Sequence, residues 1–140
     1  MTSLTAEEYL EQIKKIDAMI GNKDEEYRRL VGLASGLGDF SVAERVQSSK
    51  NLQQIPNAIA KYIDVEREIE GLKRKRAEII KTIERLPLVE YKTIYILFVK
   101  DGDFTLKDIA WEFHKSYDWA KKKKRRALGL IQKIIDEELV

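Results

Sequence analysis

Apolar residues near the start of the chain recur in alternating steps of three and four. Between about Thr5 and Ala34 these positions are Leu10, Ile13, Ile16, Ile20, Tyr27, Leu30 and Ala34. This spacing predicts one long helix with a narrow apolar seam, as in a coiled coil. Thr5 followed by Glu8 is a capping-box pattern, in which hydroxyl and carboxylate can each satisfy a free backbone N–H, so the helix is expected to begin there.

A second long helix is predicted from about Ile55 to Leu86 by two series of residues seven positions apart. The series are Ile55, Tyr62, Ile69, Arg76 and Ile83, and Ala58, Val65, Leu72, Ile79 and Leu86, of which only Arg76 is not apolar. Pro56 fits the first turn of this helix, where a missing N–H costs no hydrogen bond. Pro87 ends it. Two seams of similar length predict an antiparallel coiled-coil hairpin in which each helix buries the other's stripe.

The connection between the two seams, near residues 35–54, has no clear apolar period. It begins with the glycine-rich stretch SGLGDFS and continues with the polar stretch VAERVQSSKNLQQI. A loop or a short helix fits this composition. For Arg45–Ser49 a structural linker and a contact site are equal alternatives. The hairpin with this loop is predicted to form a first domain over residues 1–86.

Residues 87–140 are predicted to form a second domain, because their composition differs from that of the hairpin. The stretch VEYKTIYILFV predicts a short helix that is buried on most sides, and Asp101-Gly102-Asp103 predicts a turn. Thr105 can cap a compact helix through its hydroxyl. The apolar face of that helix is predicted to hold Leu106, Ile109, Ala110 and Phe113.

A break at His114-Lys115-Ser116 separates this compact helix from a last helix that is expected to run to about Glu138. Ser116 is a good N-cap, and the inner side is predicted to hold Ala120, Ala127, Leu130, Ile131, Ile134 and Ile135. Two helices joined by a short turn, with the small Ala110 where they cross, are typical of a helix-turn-helix. His114 would take the left-handed conformation that glycine usually supplies.

The composition agrees with an all-α protein and narrows the classes of function. Charged residues are 36% and apolar residues 44% of the chain, with 7 glycines, 2 prolines and no cysteine. The lack of cysteine excludes disulfides, thiolate nucleophiles and cysteine-based zinc sites. No segment approaches the roughly 20 apolar residues that span a bilayer, and the start of the chain lacks the features of a secretory signal. We therefore expect a cytoplasmic protein that does not bind membranes.

The net charge of +2 conceals a strongly basic segment near the C-terminus. Residues 115–133 hold eight Lys or Arg and one acid, Asp118. In a recognition helix the first exposed residues face base edges and the neighbouring cations neutralise phosphates. The predicted DNA-binding residues are Ser116, Tyr117, Asp118, Lys121, Lys122, Lys124 and Arg125. Six consecutive cations cannot all face one groove, so Lys123 is expected to lie partly inward. A solvated charged face and a nuclear-import signal are the alternatives.

Candidate catalytic chemistry is sparse in this chain. His114 is the single histidine, and there is no cysteine, so histidine relays and zinc sites lack parts. The carboxylates are predicted to lie on helix exteriors as solvating charges and local ion pairs. No glycine-rich loop suited to phosphates is present. We expect no enzymatic activity, no cofactor and no metal.

Residues 86–134 resemble the fourth region of bacterial sigma factors, which reads the promoter −35 element. The matching landmarks are Leu86-Pro87, Glu90, Ile94, Ile96, Phe98, Thr105-Leu106, Asp108-Ile109-Ala110, Ser116 and Ala127-Leu128. The whole chain, with ERVQSSKN between its long helices, is similar to small phage and prophage proteins of low-GC Gram-positive bacteria. That family is grouped loosely with late transcription regulators of the ArpU and RinA kind.

The resemblance implies promoter contacts at Tyr117, Asp118, Lys121 and Lys122, and hence a phage or prophage regulator of transcription that binds double-stranded DNA. The chain departs from the sigma pattern at His114, which replaces glycine, at Lys123, which replaces an apolar residue, and at the bulky Trp119. The alternatives are an interaction protein whose hairpin binds RNA polymerase or another protein, and a component that packages phage DNA. The sequence also leaves open a homodimer through the hairpin.

Overall fold

The computed structural model describes residues 4–35 and 49–138, with side chains from residue 55 onward in the second range, and this part of the chain is all-helical. The helices are α1 (Ala6–Ala34), α2 (Ser49–Glu84), α3 (Leu88–Ile94), α4 (Leu106–Glu112) and α5 (Tyr117–Glu138), with a π-helical segment at Tyr95–Val99. Over the described residues, no helix combines the length and apolar character that crossing a membrane requires. The predicted all-α class is confirmed.

The chain divides into two compact units, one formed by Met1–Ile16 with Lys75–Val140 and the other by Asp17–Arg74. This grouping differs from the predicted boundary between residues 86 and 87. It assigns the first turns of α1 and the last turns of α2 to the unit that contains α3, α4 and α5. Both long helices therefore contribute residues to both units.

In the unit Asp17–Arg74, the two long helices pack through an apolar cluster. The buried members are Leu30, Ala58, Val65 and Ile69, and the partly buried members are Ile20, Tyr27, Leu33, Ala34 and Tyr62. Lys23 pairs with Glu68, and the Tyr27 ring packs edge-on against Tyr62 with centroids 5.8 Å apart. Because the partner's number falls along α2 as it rises along α1, the two helices are antiparallel in this unit. The hydrogen bond to Glu68 raises the pKa of Lys23 above its usual value.

The beginning of α2 departs from the prediction. The helix begins at Ser49, and Pro56 lies inside it, so the expectation that Pro56 occupies the first turn is wrong. Proline removes one N–H donor and crowds the carbonyl four residues earlier, but these costs are local and the helix continues on both sides. Residues 49–54 are accordingly helical. The rest of the predicted loop, including Arg45–Ser48, lies outside the described residues.

The unit formed by Met1–Ile16 and Lys75–Val140 has its own apolar core. Its buried side chains come from the first turns of α1, the last turns of α2 and the C-terminal helices, and they include Leu10, Ile13, Ile79, Ile83, Ile94, Phe98, Ile109, Ala120, Ala127, Ile131 and Ile135. The predicted short helix is an α-helix as far as Ile94. It then widens into the π-helical segment, where the Lys100 N–H donates to the Tyr95 carbonyl, five residues back, at 2.8 Å. The predicted turn follows, with Gly102 at φ 109° and its carbonyl accepting from the Lys14 ammonium at 2.6 Å.

The start of α1 is capped as the sequence predicts, with one difference. The Glu8 N–H donates to the Thr5 hydroxyl at 3.1 Å. The Glu8 carboxylate accepts from that same hydroxyl at 3.0 Å, not from a backbone N–H as expected. An acceptor for another free backbone N–H comes from elsewhere in the fold, since the Ala6 N–H donates to the side-chain oxygen of Gln132 at 2.7 Å.

Candidate nucleic-acid interface

The turn between α4 and α5 is closed by backbone hydrogen bonds around a left-handed residue. His114 has φ 56°, and it is the one residue other than glycine with positive φ among those described. The His114 N–H donates to the Trp111 carbonyl at 3.2 Å, and the Lys115 N–H donates to the Ala110 carbonyl at 2.9 Å. These two bonds form a Schellman motif at the end of α4. The expectation that His114 takes glycine's conformation is confirmed.

Short-range hydrogen bonds also define where α4 and α5 begin. At α4 the Asp108 carboxylate accepts from the Thr105 N–H at 2.6 Å and from the Thr105 hydroxyl at 3.2 Å. At α5 the Trp119 N–H donates to the Ser116 hydroxyl at 3.1 Å, so Ser116 is the N-cap that the sequence predicts. The first residue of each helix is therefore determined by residues within a short stretch of chain.

Small side chains lie where α4 and α5 pack together. Ala110 of α4 and Ala120 of α5 are both buried, and they form one cluster with Ile109. The rings of Phe113 and Trp119 pack beside them with centroids 5.3 Å apart. Trp119, which is bulkier than the sigma pattern expects, therefore belongs to this packing and is partly buried.

The buried residues of α5 define the opposite, outward face of the helix. Ala120, Ala127, Ile131 and Ile135 are buried. At 100° per residue, Asp118, Lys122 and Arg125 point away from that side and Lys121 lies on the flank next to them, and all four are exposed. Tyr117, in the first turn, is 51% exposed. The structure thus brings most of the predicted DNA-binding residues to one accessible surface at the start of α5.

A buried carboxylate holds two of the six consecutive cations. Glu90 of α3 is 4% exposed, and its Oε1 atom lies 3.6 Å from Lys123 Nζ and 3.4 Å from Arg126 Nε. Lys123 is partly buried, as expected, and its ammonium also lies 5.7 Å from the centre of the Trp119 ring. The expectation that carboxylates lie on helix exteriors is wrong at Glu90, because paired cations compensate its burial.

Lys124 faces the first turn of α1. Its Nζ atom lies 3.6 Å from Glu7 Oε1, and its side chain is 28% exposed, so it is less accessible than the other predicted DNA-binding cations. Gln132 strengthens the same contact, because its amide donates to the Leu4 carbonyl at 3.2 Å. The amide also donates to Asp136 of the same helix at 3.0 Å. Sequence reasoning missed Glu7 and Gln132, since neither stands out from a polar helix surface.

The remaining cations of the run carry the outward charge. Lys122 lies 3.5 Å from Asp118 in an exposed ion pair one turn apart. Of the ion pairs between described residues, none involves Lys121 or Arg125. An exposed pair such as Lys122–Asp118 contributes little and exchanges readily with other partners. The outward face and its flank therefore have two cations without a counter-ion among the described residues, and a third that is weakly held.

Comparison with known proteins adds no relative from which a role for this surface can be transferred. No protein-family model matches the chain, and no curated protein or solved structure is significantly similar to it. The function must therefore be inferred from the residues of α4 and α5 and from the groups that surround them.

Proposed function

We propose that this chain is a DNA-binding regulator of transcription that inserts the outward face of α5 into the major groove of double-stranded DNA. The observation that carries the proposal is the distribution of charge on this helix. Lys123, Lys124 and Arg126 are paired with acids of the same chain, whereas Lys121 and Arg125 lie exposed on the flank and the outward face of α5 without such partners. Self-repulsion on that face is relieved when a polyanion supplies the missing counter-charge.

The dimensions and order of the residues suit this mode of binding. The major groove is about 12 Å wide and admits an α-helix with its side chains. Tyr117 and Asp118 lie in the first turn of α5, where side chains of a recognition helix approach base edges. Lys121, Lys122 and Arg125 follow at positions from which they can reach phosphates or guanine edges. Ser116, as the N-cap, positions this first turn.

The same residues favour a sigma-like regulator from a phage or prophage as the class of protein. Three landmarks of that resemblance have definite roles in the fold. Asp108 caps α4, Ser116 caps α5, and Glu90 joins α3 to α5 through Lys123 and Arg126. An asymmetric −35-like site is the target that this class implies. A component that packages phage DNA would use the same surface, and transcription from a bound promoter fragment distinguishes the two.

The decisive experiment is a DNA-binding titration at several salt concentrations with a triple variant, Lys121→Ala, Lys122→Ala, Arg125→Ala. Three phosphate contacts contribute a slope of about −2.7 to the dependence of log K on log salt, since each contributes about −0.9. We expect the wild type to bind with a steep salt dependence and the triple variant to lose most of this affinity. Fluorescence anisotropy of labelled duplex fragments measures both quantities.

A second triple variant controls for the change of net charge. Lys61→Ala, Arg67→Ala, Lys73→Ala removes the same charge from exposed positions of α2, where no DNA contact is proposed. This control should bind as the wild type does. Equal losses of DNA affinity in the two triple variants would show that the effect comes from net charge alone. No binding by the wild type at low salt would overturn the DNA-binding proposal.

A specific feature of α2 favours an alternative function as an interaction protein. Ile55, Ile59 and Ile63 recur every four residues, and each is 38% exposed. This spacing places them along one side of α2, apart from the buried Ala58, Val65 and Ile69. A helix of another protein, such as a subunit of RNA polymerase, or a second copy of the chain can bury such a stripe. Association through it would change little with salt, unlike DNA binding.

A further inference from the structure

The outward face of α5 continues beyond the basic run. Lys122, Arg125, Gly129 and Lys133 follow one another at intervals of three, four and four residues, which places them along one line of the helix. All four are exposed. Arg125 and Lys133 lie about 12 Å apart along the helix axis at 1.5 Å per residue, with Gly129 midway between them.

The packing of the chain gives no reason for a glycine at position 129. A Cβ atom built there would meet no atom within 4 Å outside the helix's own nearby backbone. Its neighbours Ala127 and Ile131 are turned toward the core and fully buried. Glycine in a helix interior is less stable than alanine, because its backbone loses more conformational freedom on folding. The position therefore reduces the stability of α5 without improving any contact inside the chain.

We propose that Gly129 is a DNA phosphate-contact position, at which the bare backbone of α5 lets the sugar-phosphate chain approach between Arg125 and Lys133. The proposal rests on the DNA-binding function proposed above and extends the interface by about two turns beyond the basic run. A side chain at position 129 would stand between the helix and the phosphate that these two cations flank. Its absence shortens the distance between their charges and the polyanion, which strengthens attraction.

The charges along this line agree with a phosphate contact. Among the described residues, neither Arg125 nor Lys133 takes part in an ion pair. Asp136 and Glu137, three and four residues after Lys133, mark the end of the line, since a phosphate is repelled there. The proposed contact therefore extends as far as Lys133 and no farther.

The test compares Gly129→Ala with Gly71→Ala. Gly71 is likewise an exposed glycine inside a helix, with no atom within 4 Å of a built Cβ, but it lies in α2. Thermal unfolding and binding to a labelled mixed-sequence duplex DNA are measured for both variants and for the wild type. Both variants should unfold at a temperature a few degrees higher, because alanine favours the helix. Only Gly129→Ala should bind more weakly, by up to about tenfold, because the added methyl group holds the phosphate farther from Arg125 and Lys133.

Lys133→Gln provides an independent measurement at the same place. Removal of one phosphate contact should reduce the slope of log K against log salt by about 0.9, whereas Lys61→Gln in α2 should leave the slope unchanged. The combination of higher stability and weaker DNA binding in Gly129→Ala is one that a purely structural glycine does not produce.

The possible results separate this proposal from the function on which it rests. If the wild type binds DNA and Gly129→Ala binds equally well, the contact at Gly129 is disproved while the DNA-binding function stands. A lower unfolding temperature for Gly129→Ala would also overturn the contact, because it would show that folding requires the glycine. If the wild type does not bind the duplex at low salt, both proposals fall together.

Discussion

Glu90 and its two cationic partners differ in how far each has been removed from water. The carboxylate side chain of Glu90 is 5% exposed, whereas the side chains of Lys123 and Arg126 are 29% and 65% exposed. If the carboxylate is lost, the two cations can turn toward solvent. If the cations are lost, a buried negative charge remains without compensation, which is much less favourable. The two halves of this interaction are therefore unequal in energy.

This inequality predicts which of two variants is less stable. Glu90→Gln, which keeps the shape of the side chain, should lower the free energy of unfolding by about 1–2 kcal/mol. Lys123→Ala, Arg126→Ala should lower it by about 3 kcal/mol or more, because it leaves the buried carboxylate unpaired. Urea unfolding monitored by circular dichroism measures both. A double variant that is no less stable than Glu90→Gln would contradict this account.

At the scale of an element, α4 and α5 are joined by a turn whose geometry favours glycine. His114 adopts φ 56°, where its Cβ is crowded by the backbone. The two Schellman hydrogen bonds and the Ser116 cap satisfy the free backbone groups on either side of it. The turn is thus well determined in spite of the strain at His114.

His114→Gly should relieve this strain and stabilise the chain by about 1 kcal/mol. Ser116→Ala should have the opposite effect, with a loss of about 1 kcal/mol, because the Trp119 N–H loses its acceptor. Thermal unfolding of the two variants beside the wild type checks both signs. Destabilisation by glycine at position 114 would show that the histidine side chain itself stabilises the turn.

At the scale of the whole molecule, residues from both ends of the chain complete the unit that carries α5. Gln132 hydrogen-bonds to Leu4 and Ala6, Lys124 pairs with Glu7, and Arg85 pairs with Glu138. The buried residues of this unit also include several from the first turns of α1 and the last turns of α2. A C-terminal domain cut at Pro87 lacks these buried residues and the partners that Gln132, Lys124 and Glu138 have in the rest of the unit, which are Leu4, Ala6, Glu7 and Arg85.

A fragment of residues 87–140 should therefore be several kcal/mol less stable than the full chain, since each large apolar contact that is lost is worth about 1.5–3 kcal/mol. A matched fragment retains the whole unit by joining Ile16 to Lys75 through a short glycine-serine loop. This second fragment should unfold cooperatively and keep the DNA binding of the full chain. Equal stability of the two fragments would support the predicted domain boundary between residues 86 and 87.

Much of the local structure followed from the sequence, because it depends on residues only a few positions apart. The apolar spacing predicted many of the buried side chains of α1 and α2, such as Leu10 and Ile69, but it was wrong at Ile55, which is 38% exposed. The polar residues at helix ends predicted the caps at Thr5 and Ser116 and the left-handed conformation of His114. Periodicity and capping are properties of one element and its ends, so they can be read before any tertiary contact is known.

Only the tertiary structure decided which of the six consecutive cations remain on the outward face. The sequence predicted that Lys123 turns inward, but it could not identify Glu90 as the acid that receives Lys123 and Arg126. It also did not reveal that Glu7, more than a hundred positions away, faces Lys124. Such pairs depend on how separate helices pack, and a single polar residue on a helix has no periodic signal that identifies its distant partner.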